Sequence, residues 1–114
     1  MEDGISIQFE QREGAQHMRV DGELSLASAG RMKSALLQLA ASGGPAVINL
    51  AGITRIDLPG LQLLCSAHRT FCARNANFEL SESSEEVRRT ASDAGYLMRS
   101  SVCPYRRGDN CLWK

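Results

Sequence analysis

The chain of 114 residues lacks most of what would place it in a specialised class. It has no surplus of either charge, since thirteen Lys and Arg residues balance thirteen Asp and Glu. Binding to a phosphate backbone or an anionic bilayer needs surplus cations, so nucleic acid is a poor expectation. Its apolar runs are only a few residues long, far below the roughly 20 that a membrane-spanning helix needs, so no membrane insertion is expected. The acidic start Met1-Glu2-Asp3-Gly4 has no apolar stretch behind a basic residue, unlike a secretory signal, and a cytoplasmic address is the expectation. The four cysteines (Cys65, Cys72, Cys103 and Cys111) are too few and too one-sided for a disulfide framework, and reduced thiols are the default. None of them forms the short C-x2-C pair of a zinc site, so neither metal nor cofactor is expected.

What remains is an ordinary globular composition, 43% hydrophobic and 23% charged, at the size of one domain. Ile5, Ile7 and Phe9 alternate with polar residues and predict a half-buried strand. Beyond the polar turn Gln11 to Gly14, Met18 and Val20 predict a second strand that stops at Asp21-Gly22, pairing with the first as a hairpin. Met32, Leu36, Leu39 and Ala40 recur at helical spacing within Ala27 to Ala41, with Ser25 or Ser28 as cap. Gly43-Gly44-Pro45 ends that helix. Val47-Ile48-Asn49-Leu50 predicts a central strand covered on both faces.

A second helix is expected from about Pro59 to Asn75, with Leu61, Leu64, Cys65, His68 and Cys72 on its buried stripe and Phe71 beside it. Phe78 to Leu80 predicts a short strand, and Ser83 or Ser84 opens a third helix that reaches Ala94 and ends at Gly95. The order β-β-α-β-α-β-α implies an α/β fold, an opening hairpin followed by a mainly parallel sheet with helices packed on it. One domain spans 1–114, with its core at about 5–95 and a tail at 97–114. Leu97, Met98 and Val102 could add an edge strand.

Catalysis finds little support. Cys65 and His68 are three apart on one helix, but a cysteine nucleophile needs an accessible thiolate and an orienting group, whereas these residues lie on the stripe expected to face the sheet. His17 has no partner at a catalytic spacing. Gly43-Gly44-Pro45 precedes a strand, so it is not a phosphate-cradling loop. In the tail, Leu112 and Trp113 are expected to pack on the domain, while the basic loop around Cys103 and Cys111 is open to a docking or redox role.

The segment Val47 to Leu64, centred on Asp57-Leu58-Pro59-Gly60-Leu61, resembles the signature of the STAS family, the sulfate-transporter and anti-sigma-antagonist domains. In that family an Asp-Ser-Ser-Gly-Leu or Asp-Ser-Thr-Gly-Leu sequence follows a buried strand and opens a helix. Val20-Asp21-Gly22-Glu23-Leu24 is similar to the family's Gly-x-Leu segment, and the resemblance covers Ile5 to Gly95. It implies a non-enzymatic protein-binding module in bacterial signal transduction, with an anti-sigma factor or kinase-like signalling protein as partner. The alternative it implies is a cytosolic STAS subunit of a lipid or anion transporter complex.

Partner contact is then expected along Asp57, Leu58, Pro59, Gly60 and Leu61 and along the turn from Asp21 to Leu26, with Asp21, Gly22, Glu23 and Leu24 as its site residues. Phosphorylation of the motif's second hydroxyl ends docking in such family members, by placing about −1.5 to −2 charges at the contact. Here Pro59 holds the phosphoacceptor position and Leu58 replaces the hydroxyl before it, so neither can be phosphorylated. Thr54 and Ser66 are the nearest hydroxyls, read as an ordinary loop residue and a solvated helix position.

Overall fold

The computed structural model describes residues 4–94. Strand β1 (Ile5–Arg12) and strand β2 (Ala15–Leu24) form an antiparallel hairpin in which Arg12 pairs with Ala15. Its two-residue turn places Glu13 at φ 53° and Gly14 at φ 79°. Positive φ at both central positions matches the twist of the flanking strands. A 3-10 turn (Leu26–Ser28) leads into helix α1 (Ala29–Ser42), which ends at Gly43 and Gly44, both with positive φ. Strand β3 (Ala46–Ile56), helix α2 (Leu58–Ala73), strand β4 (Phe78–Ser83) and helix α3 (Glu85–Asp93) complete the order.

The sheet order is β1-β2-β3-β4, with β2 and β4 both parallel to β3. Each parallel pair is joined through a helix, as the expected crossovers require. Met18, Val20, Leu24, Ile48, Leu50 and Phe78 from the strands meet Met32, Leu39, Leu61, Leu64 and Val87 from the helices in one core. Ser84 caps α3 by accepting a hydrogen bond from the Val87 N–H at 3.3 Å.

Three expectations are corrected. Strand β2 runs on through Asp21-Gly22 to Leu24, with register shifts against β3 at Arg19/Asp21 and Gly22/Glu23. These irregularities let a strand with a turn-like Asp-Gly stay paired. Strand β3 is central, but its side chains alternate between buried and partly or fully exposed, so among the described residues the helices cover one face of the sheet. On the open face Asn49 Nδ2 donates to Glu82 Oε2 at 3.2 Å. Finally, Phe9 pairs with Met18 near the hairpin tip but is 43% exposed, whereas Ile5 on the same alternation is buried. The tail, with Gly95, Leu97, Met98, Val102, Cys103, Cys111, Leu112 and Trp113, lies outside the described residues.

Candidate functional site

The two motifs singled out in the sequence meet at the C-terminal ends of β2 and β3. Leu24 pairs with Ile56, and the Asp57 N–H donates to the Leu24 carbonyl at 3.2 Å. Asp57 therefore leaves the sheet beside the end of β2, in extended backbone, as the N-cap of α2. Its Oδ1 accepts from the Gly60 N–H at 3.1 Å, and its backbone carbonyl accepts the first helical bond from the Leu61 N–H, also at 3.1 Å. Proline in the first helical turn has a preset φ and forgoes an N–H that the helix would not use internally. Its absence leaves Gly60 as the donor that Asp57 satisfies.

The second carboxylate oxygen looks the other way. Asp57 Oδ2 accepts from the backbone N–H of Leu26 at 3.0 Å. One side chain thus holds both the start of α2 and the turn between β2 and α1. That turn is fixed from beneath by Ser28, which is fully buried. Its Oγ accepts from the Ser25 N–H at 3.0 Å and donates to the Glu23 carbonyl at 2.9 Å.

Gly60 closes the corner by its lack of a side chain. A Cβ there would lie 2.9 Å from both Leu24 Cγ and the Leu24 carbonyl oxygen, and 3.0 Å from Ile56 Cγ1. Gly22, at φ 98°, similarly leaves space for the Gly4 carbonyl, which a Cβ would strike. The Gly-x-Leu and Gly-Leu segments are therefore halves of one packing contact, with Leu24 pressed onto the bare backbone of Gly60.

The corner exposes two large apolar side chains. Leu26, whose N–H bonds the Asp57 carboxylate, is 74% exposed, and Leu58, which follows Asp57 in the chain, is 48% exposed. Pro59 and Asp57 are half-buried. Leu24, Gly60 and Leu61 are buried and support the corner from within. Asp21 points to the sheet's open face, where its carboxylate accepts from Arg19 Nε at 3.1 Å. Gly22 is half-buried and Glu23 exposed. Of the nine expected site residues, the structure brings Asp57, Leu58 and Pro59 to one accessible place, joined by Leu26 at the end of the expected contact turn.

Thr54 is an exposed residue of β3 rather than of a loop, and Ser66 is exposed on α2. His68 is buried, with its Nε2 3.4 Å from Cys72 Sγ and its ring tilted against Phe78. Its near partner is thus Cys72, one turn further along, and the pair sits within the packed interior. Among the described residues no group of three His, Cys, Asp or Glu side chains could hold a metal ion, and no helix is long and apolar enough to cross a membrane.

A mixed four-stranded sheet with helices on one face, and an Asp-capped helix starting beside the Gly-x-Leu segment, define a STAS-type fold. The chain belongs to the STAS-domain family: residues 7–96 match the family described as "Mlab, STAS domain". Comparison with curated proteins gives no match. Among solved structures, an anti-sigma factor antagonist from Mycobacterium paratuberculosis is similar at 21% identity and TM-score 0.68, covering 96% of this chain and 92% of that one. The anti-sigma factor antagonist SpoIIAA in its unphosphorylated form is similar at 19% identity and TM-score 0.66, covering 80% and 82%. The Bacillus cell fate determinant SpoIIAA in its phosphorylated form is similar at 17% identity and TM-score 0.63, covering 80% and 85%. At these identities the likeness is one of fold.

Proposed function

We propose that the chain is a non-enzymatic protein–protein interaction module of signal transduction, acting in the cytoplasm in the manner of an anti-sigma factor antagonist. Its docking is not controlled by phosphorylation at the motif position. The observation that carries this reading is the pair of exposed leucines, Leu26 and Leu58, which begin the two segments that the Asp57 carboxylate ties together. Burying such side chains against a partner contributes roughly 1.5–3 kcal/mol each. An apolar patch rimmed by polar residues is the usual mark of a protein contact.

The partner would be an anti-sigma factor or kinase-like signalling protein, a reading supported by the similarity in fold to anti-sigma factor antagonists. Asp57 is engaged by backbone donors from two segments, so the contact relies on shape and apolar area more than on its charge. No residue from 57 to 61 carries a hydroxyl, so the switch of the family's phosphorylated members has no atom to act on here.

Titration calorimetry against the kinase-like anti-sigma proteins of the source genome tests the reading. One of them should bind, and Leu26→Asp and Leu58→Asp should each weaken that complex at least tenfold without lowering the melting temperature. Unchanged affinity in both variants would move the interface elsewhere. A complex formed instead with a lipid- or anion-transporter subunit, and lost in the same variants, would assign the corner to transport.

A further inference from the structure

The balanced total charge conceals a strong segregation. Between Glu23 and Glu79 the sole acidic residue is Asp57, which is tied to two backbone N–H groups, while Arg31, Lys33, Arg55, Arg69 and Arg74 all fall in that stretch. Helices α1 and α2 consequently carry no carboxylate at all. The acidic residues gather instead on β4 and α3 (Glu79, Glu82, Glu85, Glu86 and Asp93), where they outnumber Arg88 and Arg89, and on the first hairpin, where they outnumber Arg12 and Arg19.

The seam between these two helices is an open groove of about 90 Å³. Ala40 and Ala67 line it with small side chains, and Leu37, Leu63, Lys33 and Ser66 are among the residues of its walls. Leu37 is 60% exposed, although it sits on a helix whose neighbouring Leu36 and Leu39 are buried. Lys33 makes no ion pair among the described residues. Small residues between larger apolar ones leave a hollow that takes the side-chain ridge of a third helix.

From these observations we propose that the α1/α2 groove is a second docking surface, and that it takes an acidic amphipathic helix from another protein. The apolar stripe of that helix, at i, i+3, i+4 and i+7, would lie against Leu37 and Leu63. Its flanking Glu or Asp residues would face Lys33 in the groove wall, on helices that offer no carboxylate to repel them. The chain's own residues 95–114 fit this groove poorly by charge, because Arg99, Arg106, Arg107 and Lys114 outnumber Asp109. A bilayer fits it poorly by shape, because the apolar atoms are recessed in a seam and a flat surface would reach only its rims. The inference stands apart from the corner at Leu26 and Leu58 and holds whichever partner that corner takes.

The test uses two synthetic peptides with the same leucine stripe, one flanked by glutamate and its twin flanked by lysine, titrated into the full chain by fluorescence anisotropy and amide NMR. The glutamate peptide should bind, with shift changes centred on Lys33, Leu37, Leu63 and Ser66, and the lysine peptide should not. Lys33→Glu should weaken binding roughly tenfold, the result of reversing one exposed charge that faces several others. Leu37→Asp should weaken it at least as much, and Leu26→Asp should leave it unchanged. Because Lys33 and Leu37 are exposed, melting curves of these variants should overlay the parent.

Equal binding of both peptides, shifts centred away from the groove, or indifference to Lys33→Glu would overturn the proposal. So would failure of the glutamate peptide to bind, and binding of anionic phospholipid vesicles through the same residues would then assign the groove to a lipid surface.

Discussion

Asp57 Oδ2 accepts the Leu26 N–H at 3.0 Å across a sequence separation of 31 residues, while its sister oxygen caps the helix that Leu58 begins. The two leucines that form the corner's exposed surface are therefore positioned by one carboxylate. Asp57→Ala removes a helix cap and leaves the Leu26 N–H without its acceptor, and should destabilise the fold by about 1–3 kcal/mol. For a domain of this size that is a fall in melting temperature of roughly 5–15 °C. Asp57→Asn keeps one acceptor oxygen and should recover part of the loss. Thermal unfolding followed by circular dichroism measures both.

Gly60 should resist even the smallest side chain. Alanine is the better helix former by about 1 kcal/mol, yet its Cβ would press on Leu24 and Ile56 at 2.9–3.0 Å. Overpacking of this kind destabilises by about 1–3 kcal/mol, so Gly60→Ala should be net destabilising in urea unfolding. Pairing it with Leu24→Ala, which removes the struck side chain, should give a double variant less destabilised than the sum of the two singles. Full additivity would mean that the two motif halves do not depend on each other.

Met18 is fully buried at the middle of β2, under the helices. Met18→Ala should lower stability by about 2–5 kcal/mol. Phe9→Ala, at the partly exposed site paired with it, should lower stability much less. The contrast reports where helix cover of the hairpin ends, and equal losses would show that the hairpin tip is packed as tightly as its base.

The order of elements could be read from the sequence because the hairpin, the Gly43-Gly44 stop and the three helical stripes each carry their own local signal. The ends of β2 and β3 could not. Asp21-Gly22 has turn chemistry, and the strand continues through it with shifts of register against β3. Thr54-Arg55 breaks the apolar run, yet both residues stay on β3, which pairs with β2 as far as Leu24 and Ile56. The open face of the sheet was hidden by the β-branched run at Val47 and Ile48, although Asn49 in its middle is the residue that turns to solvent and to Glu82.

At the site, Asp57, Leu58 and Pro59 were legible because the motif is contiguous. Leu24 and Leu61 belong to the same motifs but serve as core, since periodicity identifies the apolar side of an element without saying where the surface begins. Leu26 joins the corner through a tertiary hydrogen bond that no spacing rule encodes.

The most direct test of the central claim compares the parent chain with Pro59→Ser and Pro59→Asp against the bound kinase-like partner and ATP, following the complex by anisotropy and the phosphate by mass spectrometry. The account predicts that the parent stays bound and unlabelled between residues 57 and 61, that Pro59→Ser becomes labelled at residue 59 and is released, and that Pro59→Asp does not bind. Release of the parent on ATP addition with phosphate at Asp57, Thr54 or Ser66, or undiminished binding of Pro59→Asp, would contradict it.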